Sequence, residues 1–394
     1  MSNAPDEQQR PLLDRSGFSI DLDPVEAAQE VSYDQIHEPF DPEKIDVKTK
    51  NMTVDLLLAR LRRGALHLSP DFQRLAGIWN DTRQSQLIES LLLKIPLPTF
   101  YAAELGDDQE SWEMVDGIQR LTAIARFIEP GLVGKPPLVL RNLEYLPFDG
   151  KTYDDLPGGL KTRLHETEFV VHLIGHGTPD QVKFNIFARI NTGGMPLTFQ
   201  ELRHALIPGK ARTLLAELAA SPEFQEATRG SVSDARMSDR EMVLRFLAFR
   251  LSDPSQYRGS DLDEFLREAM VDINGLDDET IEALRQDFKH AMRAAQLVFG
   301  EHAFRKQSRG QTRRSPINKA LFETVSVNLA ARSPEQVKIL RKNAEQVSLG
   351  LAELLEDDGF ERAVSVGTGD SSKVRLRFAE LDALFRRFEE EVRA

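Results

Sequence analysis

The residues best suited to chemistry lie between Ser111 and Phe127, a stretch that reads S-W-E-M-V-D-G-I-Q-R-L-T-A-I-A-R-F. Trp112 to Val115 has the character of a short apolar strand, and Asp116-Gly117 breaks it. Leu121, Ile124, Ala125 and Phe127 then recur at helical spacing. A strand that turns through glycine into a helix leaves backbone N–H groups unpaired at the helix start, where the dipole adds partial positive charge. That combination favours an anion, phosphate first. Arg120 in the first turn can fork onto phosphate oxygens, and Gln119 offers an amide. Asp116 adds a carboxylate suited to a metal–phosphate or a ribose hydroxyl. Asp116, Gln119 and Arg120 are therefore the candidate catalytic residues, with Gly117 and Arg120 as phosphate binders. The same pattern also fits an ordinary strand–turn–helix with a surface arginine.

Two further stretches carry groups that suit a nucleotide. Gln73 and Arg74 end a short strand-like run and can meet a base or phosphate, while Trp79 can stack on a base. In Arg189-Ile190-Asn191-Thr192-Gly193-Gly194, Asn191 can orient a phosphate or ribose, and Gly193 permits close backbone approach. Gln73, Arg74, Trp79, Arg189, Asn191 and Gly193 complete the nucleotide-binding set. Core packing of Trp79 and a plain helix cap at Asn191 are the structural alternatives. For nucleic acid the best candidate is Arg305, Lys306, Arg309, Arg313 and Arg314, five cations in ten residues without an acid. No metal site is expected. His172 and His176 fall on a strand and a glycine loop, which places them about 13 Å apart if extended. There is no G-x-x-x-x-G-K-[S/T] loop.

These groups need elements to hold them. From Ile45 to about 130, helical and strand patterns alternate: a helix capped by Thr53, a short strand at Leu66-His67-Leu68, a helix from Asp81 to Lys94, a strand from Phe100 to Ala103, then the stretch described above. Leu138-Val139-Leu140 and Phe169 to Ile174 read as further strands, and Thr178-Pro179 starts a helix. Beyond 200 the pattern is almost wholly helical, with helices expected at 198–206, 210–220, 238–252, 260–273, 277–299, 315–331, 333–356 and 376–393. Gly359 to Lys373 reads as a mobile loop. The fold class is α+β: a small mixed domain over 45–205 and a helical domain over 206–394. Residues 1–44 form an acidic tail expected to be mostly disordered, since the first fifty residues hold twelve Asp and Glu against five Lys and Arg.

The 394-residue chain has a net charge of −13, which argues against a protein coated in duplex nucleic acid while leaving room for a local basic groove. It has no cysteine, so thiol catalysis and thiolate metal sites are excluded, in keeping with a cytoplasmic location. No signal peptide or membrane span is expected.

Taken in order, F-Q-R, Trp79, L-I-E-S-L-L-L-K-I-P-L-P, V-D-G-I-Q-R-L-T-A and F-A-R-I-N-T-G-G-M-P-L-T-F-Q-E-L-R resemble the N-terminal domain of GmrSD-type modification-dependent restriction proteins. That domain belongs to the wider ParB and sulfiredoxin-like group, and the resemblance covers roughly residues 50 to 205. The helical remainder, with Arg314 to Phe322, looks like that of stand-alone members. The family's D-G-Q-Q-R motif, associated with nucleotide binding and hydrolysis, stands here as Asp116, Gly117, Ile118, Gln119 and Arg120, with Ile118 replacing the first glutamine. Related members pass nucleotide state to a C-terminal HNH nuclease. No histidine cluster precedes His302, the last histidine, so that domain is not expected here. The resemblance implies a GTP- or ATP-binding and hydrolysing protein of restriction or phage defence, using Mg²⁺ and acting with DNA or a separate nuclease or methyltransferase. A metal-dependent ParB-like nuclease and a non-enzymatic DNA- or protein-binding scaffold are the alternatives.

Overall fold

The computed structural model describes residues 45–68, 79–105, 110–179, 182–184, 186, 198–259, 261–307 and 314–391. Contacts divide the chain into two compact units that meet in sequence at Thr198 and Phe199.

In the first unit, β1 (Val47–Thr53) leads directly into α1 (Val54–Arg62), capped by the Thr53 side chain accepting from the Leu56 N–H at 3.2 Å. There follow β2 (Leu66–His67), α2 (Asp81–Leu92), β3 (Phe100–Glu104), β4 (Trp112–Asp116), α3 (Ile118–Ile128), α4 (Gly158–Glu166) and β5 (Glu168–Ile174). The sheet order is β1-β5-β3-β4-β2. β1 runs antiparallel to β5, β5 parallel to β3, β3 antiparallel to β4, and β4 parallel to β2. Phe100 and Phe169 meet edge to face at 4.7 Å across the β3–β5 pair. Leu87, Ile88, Leu91 and Leu92 of α2 and Leu121, Ile124 and Phe127 of α3 are buried, the period-3.6 stripe that holds each helix in place.

Leu138-Val139-Leu140 does not form the expected strand. Leu138 and Leu140 are fully buried, but the Leu140 N–H donates to the Lys151 carbonyl and the Gly150 N–H donates back to Leu140. The segment satisfies its backbone within its own loop, so no ladder forms. The helix expected after Thr178 is seen at residues 182–184 and 186, and its remainder lies outside the described residues.

The second unit is helical: α5 (Phe199–Leu206), α6 (Lys210–Ala219), α7 (Pro222–Thr228), α8 (Ser238–Leu251), α9 (Leu262–Gly275), α10 (Asp278–Phe299), α11 (Lys319–Ala330), α12 (Pro334–Lys342), α13 (Ala344–Glu356), α14 (Asp358–Ser365) and α15 (Ser371–Glu391). α11 is buried on every side from Lys319 to Leu329, so the other helices pack around it. It begins at Lys319 rather than 315, because Asn318 caps it by accepting from Leu321 at 2.8 Å. The single long helix expected over 333–356 is two, broken at Asn343. Of the loop expected over Gly359–Lys373, only residues 366–370 lie outside helices, and the rest belongs to α14 and the start of α15. Asp357 caps α14, and Phe360, Ala363 and Val364 bury its inner face.

Candidate functional site

The β4–α3 junction forms as its sequence indicates. Gly117 sits at φ +96°, a conformation that favours glycine, and no side chain caps the helix start. The turn is tightly backed: a Cβ at Gly117 would lie 2.1 Å from Phe100 Cδ1. Asp116, Gly117 and Arg120 come together, but Arg120 faces inward. It is buried, and its guanidinium donates to the Pro98 carbonyl, to the Thr99 carbonyl at 3.1 Å and to Asp116 Oδ2 at 2.8 Å. Its Cζ lies 4.8 Å from the Phe100 ring centroid. Three protein acceptors thus hold the group expected to fork onto phosphate, and Arg120 fastens the turn and orients the Asp116 carboxylate. Burial pushes the Asp116 pKa up, against the pull of the Arg120 charge. Gln119 is half-buried on the same turn. Ile118 is buried, so the position at which the family motif carries glutamine here belongs to the core.

Trp79 lies toward the other end of α3. The Trp79 carbonyl accepts from Gln84 Nε2 at 2.7 Å, and Gln84 Oε1 accepts from Arg126 at 3.1 Å. Arg126 is six residues beyond Arg120, about 9 Å along the helix axis. Trp79, Arg126, Lys135 and Arg141 line a cleft of about 550 Å³. Sequence reasoning named only Trp79 there, because three cations spaced over sixteen positions form no motif. Gln73, Arg74, Arg189, Asn191 and Gly193 lie outside the described residues.

In the helical unit the basic run is partly internal. Arg305 is buried and donates to Thr228 O at 3.3 Å, to Ser231 Oγ at 2.7 Å and to the Ser315 carbonyl. Lys306 donates to Ser365 Oγ at 2.7 Å and faces Glu361 at 3.5 Å. These two cations pack the protein instead of offering charge to a phosphate backbone. Arg314 is exposed, and Arg309 and Arg313 lie outside the described residues. Among the described residues no group of three or more His, Asp or Glu is placed to hold a metal, and no helix is long and apolar enough to cross a membrane.

The first unit is thus a five-stranded mixed sheet, flanked by helices, in which β4, between the central β3 and the edge strand β2, hands into a helix through a left-handed glycine. Residues 55–208 match the family model described as the GmrSD restriction endonuclease, N-terminal domain. No curated protein and no solved structure matches the chain.

Proposed function

We propose that this chain is a nucleotide-binding component of a restriction or phage-defence system, with the nucleotide phosphates seated at the start of α3. The observation that carries the reading is the uncapped N-terminus of α3 beside a half-exposed, oriented carboxylate. Gly117 presents the helix end, no side chain caps it, and Arg120 holds Asp116 at its edge. Backbone N–H groups and the helix dipole would take the phosphate oxygens, and Asp116 would orient Mg²⁺ or the attacking water. Arg120 would act through Asp116 as a positioning residue. The family match supplies the restriction context, and a nuclease or methyltransferase would act with it.

Gln119→Glu separates binding from folding. An acid in the first turn suits the helix dipole, so the helix should hold, while a carboxylate there repels phosphate. Isothermal titration of the full chain with GTP and ATP in Mg²⁺ is expected to show binding of at least one, weakened about tenfold or more in Gln119→Glu. Asp116→Asn is expected to keep binding and lose turnover. No binding by the native chain, or undiminished affinity in a folded Gln119→Glu, would overturn the reading.

A further inference from the structure

The cleft beside Trp79 stands apart from the α3 turn, and its charges are unevenly matched. Arg126 is neutralised by Asp81 at 2.7 Å. Among the described residues the Lys135 ammonium and the Arg141 guanidinium have no ion pair, although both line the cleft. Burial and the nearby Arg126 charge lower the Lys135 pKa, against the pull of Asp81, whose carboxylate is already paired with Arg126. The Trp79 ring forms one wall and carries the Arg83 guanidinium at 4.6 Å. Within a chain of net charge −13, this is a concentrated positive site with an aromatic face.

The site extends along α2. The loop from Arg141 to Leu146 climbs that helix, fastened at three positions on one stripe. Asn142 Nδ2 donates to Thr82 Oγ1 at 3.2 Å, and the Arg141 N–H donates to Ser85 Oγ at 3.0 Å. Glu89 accepts the N–H groups of Glu144, Tyr145 and Leu146 at 2.9, 2.8 and 2.8 Å. The loop so held leaves Tyr145 72% exposed. Ser85 to Glu89 is one helical turn, about 6 Å, so the backbone anchor of Arg141 precedes that of Tyr145 by that rise along α2. An exposed aromatic on a loop fastened at three points offers an open face on which a base can stack. Aromatic, cation and aromatic in series match a strand whose bases stack while its phosphates pair with Lys and Arg. The loop's carboxylates, Glu144 and Asp149, are exposed, and Asp149 is turned back to accept the Leu143 N–H at 3.0 Å.

We propose that Trp79, Lys135, Arg141 and Tyr145 form a binding surface for single-stranded nucleic acid, a site separate from the nucleotide turn. The test is fluorescence anisotropy of a labelled twelve-residue DNA strand with the full chain and no added nucleoside triphosphate. The native chain is expected to bind. Lys135→Glu with Arg141→Glu is expected to weaken binding at least tenfold, and Lys135→Ala with Arg141→Ala to flatten the salt dependence by about 1.4 in log–log slope. Tyr145→Ala, an exposed position where folding is not at stake, is expected to cost about fivefold or more through lost stacking. Absent native binding, unchanged affinity in the folded charge-reversed chain, or equal affinity for a free mononucleotide would overturn the proposal. Because triphosphate is left out and the variants avoid α3, failure here leaves the Gln119→Glu titration to stand or fall alone.

Discussion

Gly117 is the residue on which the nucleotide site depends, and its constraint is steric as well as conformational. A methyl group there would meet Phe100 Cδ1 at 2.1 Å and Cε1 at 2.5 Å, on a backbone already at φ +96°. Gly117→Ala is expected to destabilise the sheet unit by about 2–4 kcal/mol, combining left-handed backbone strain with overpacking. Adding Phe100→Leu should recover the packing part and leave the backbone part, a difference that denaturant midpoints will read. A single variant losing less than about 1 kcal/mol would mean that the turn relaxes freely. The glycine was legible in the sequence because it interrupts an apolar strand just before a helical stripe. The inward turn of Arg120 was not, since an arginine in a first helical turn reads the same whether it faces a ligand or the carbonyls of Pro98 and Thr99. Arg305 misled for the same reason: a run of cations shows charge, while its acceptors at Thr228 and Ser231 come from distant sequence.

Elements were legible where their burial was periodic. α2 and α3 each present a regular apolar face and β4 a continuous buried run, whereas β1 leaves its first five residues exposed and offers only Met52 as a buried anchor. α14 was hidden by Gly359 and Gly367, which read as breakers, although the Asp357 cap precedes them and the Phe360, Ala363 and Val364 stripe sits between them. The loop that climbs α2 shows no pattern, because its order comes from Glu89. Burial disfavours the charge of that carboxylate, but its three backbone donors hold its pKa below the usual range. Glu89→Gln keeps the shape and removes the charge, with one amide oxygen left to accept. The expected cost is about 2–3 kcal/mol, concentrated in the loop. Hydrogen exchange should quicken at Glu144, Tyr145 and Leu146 while the sheet amides stay protected. Uniform quickening across the unit would show that the carboxylate supports the whole sheet rather than this loop.

At the scale of the whole molecule, the helical unit carries buried charge that the sequence gives no means to pair. Glu323, fully buried on α11, accepts from Arg245 at 3.2 Å and from Arg377, and Lys319 on the same helix reaches Glu241 at 3.1 Å. Burial disfavours the Glu241 charge, but Lys319 and Arg245 outweigh it and hold its pKa well below the carboxylate range. Glu241 therefore contributes stability above its unfolded pKa that is lost as pH falls through its folded value. Asp239 and Asp263 act in the opposite sense. Burial pushes each up to about 6, against Arg240 for Asp239 and against Arg203 for Asp263. An aspartate with an unfolded pKa of about 3.9 and a folded pKa of about 6 takes up its proton on folding between those values. Folding loses stability as pH rises through that window, and the penalty is complete above it. Asp239→Asn cannot ionise, so it should be the more stable chain at pH 8 by about 1–2 kcal/mol, with the gain gone near pH 4. Thermal melts of both chains across that range read the difference directly. A gain independent of pH would assign the effect to packing. A loss at pH 8 would show that the carboxylate, through its 2.8 Å bond from the Arg240 N–H, is needed in its charged form to start α8.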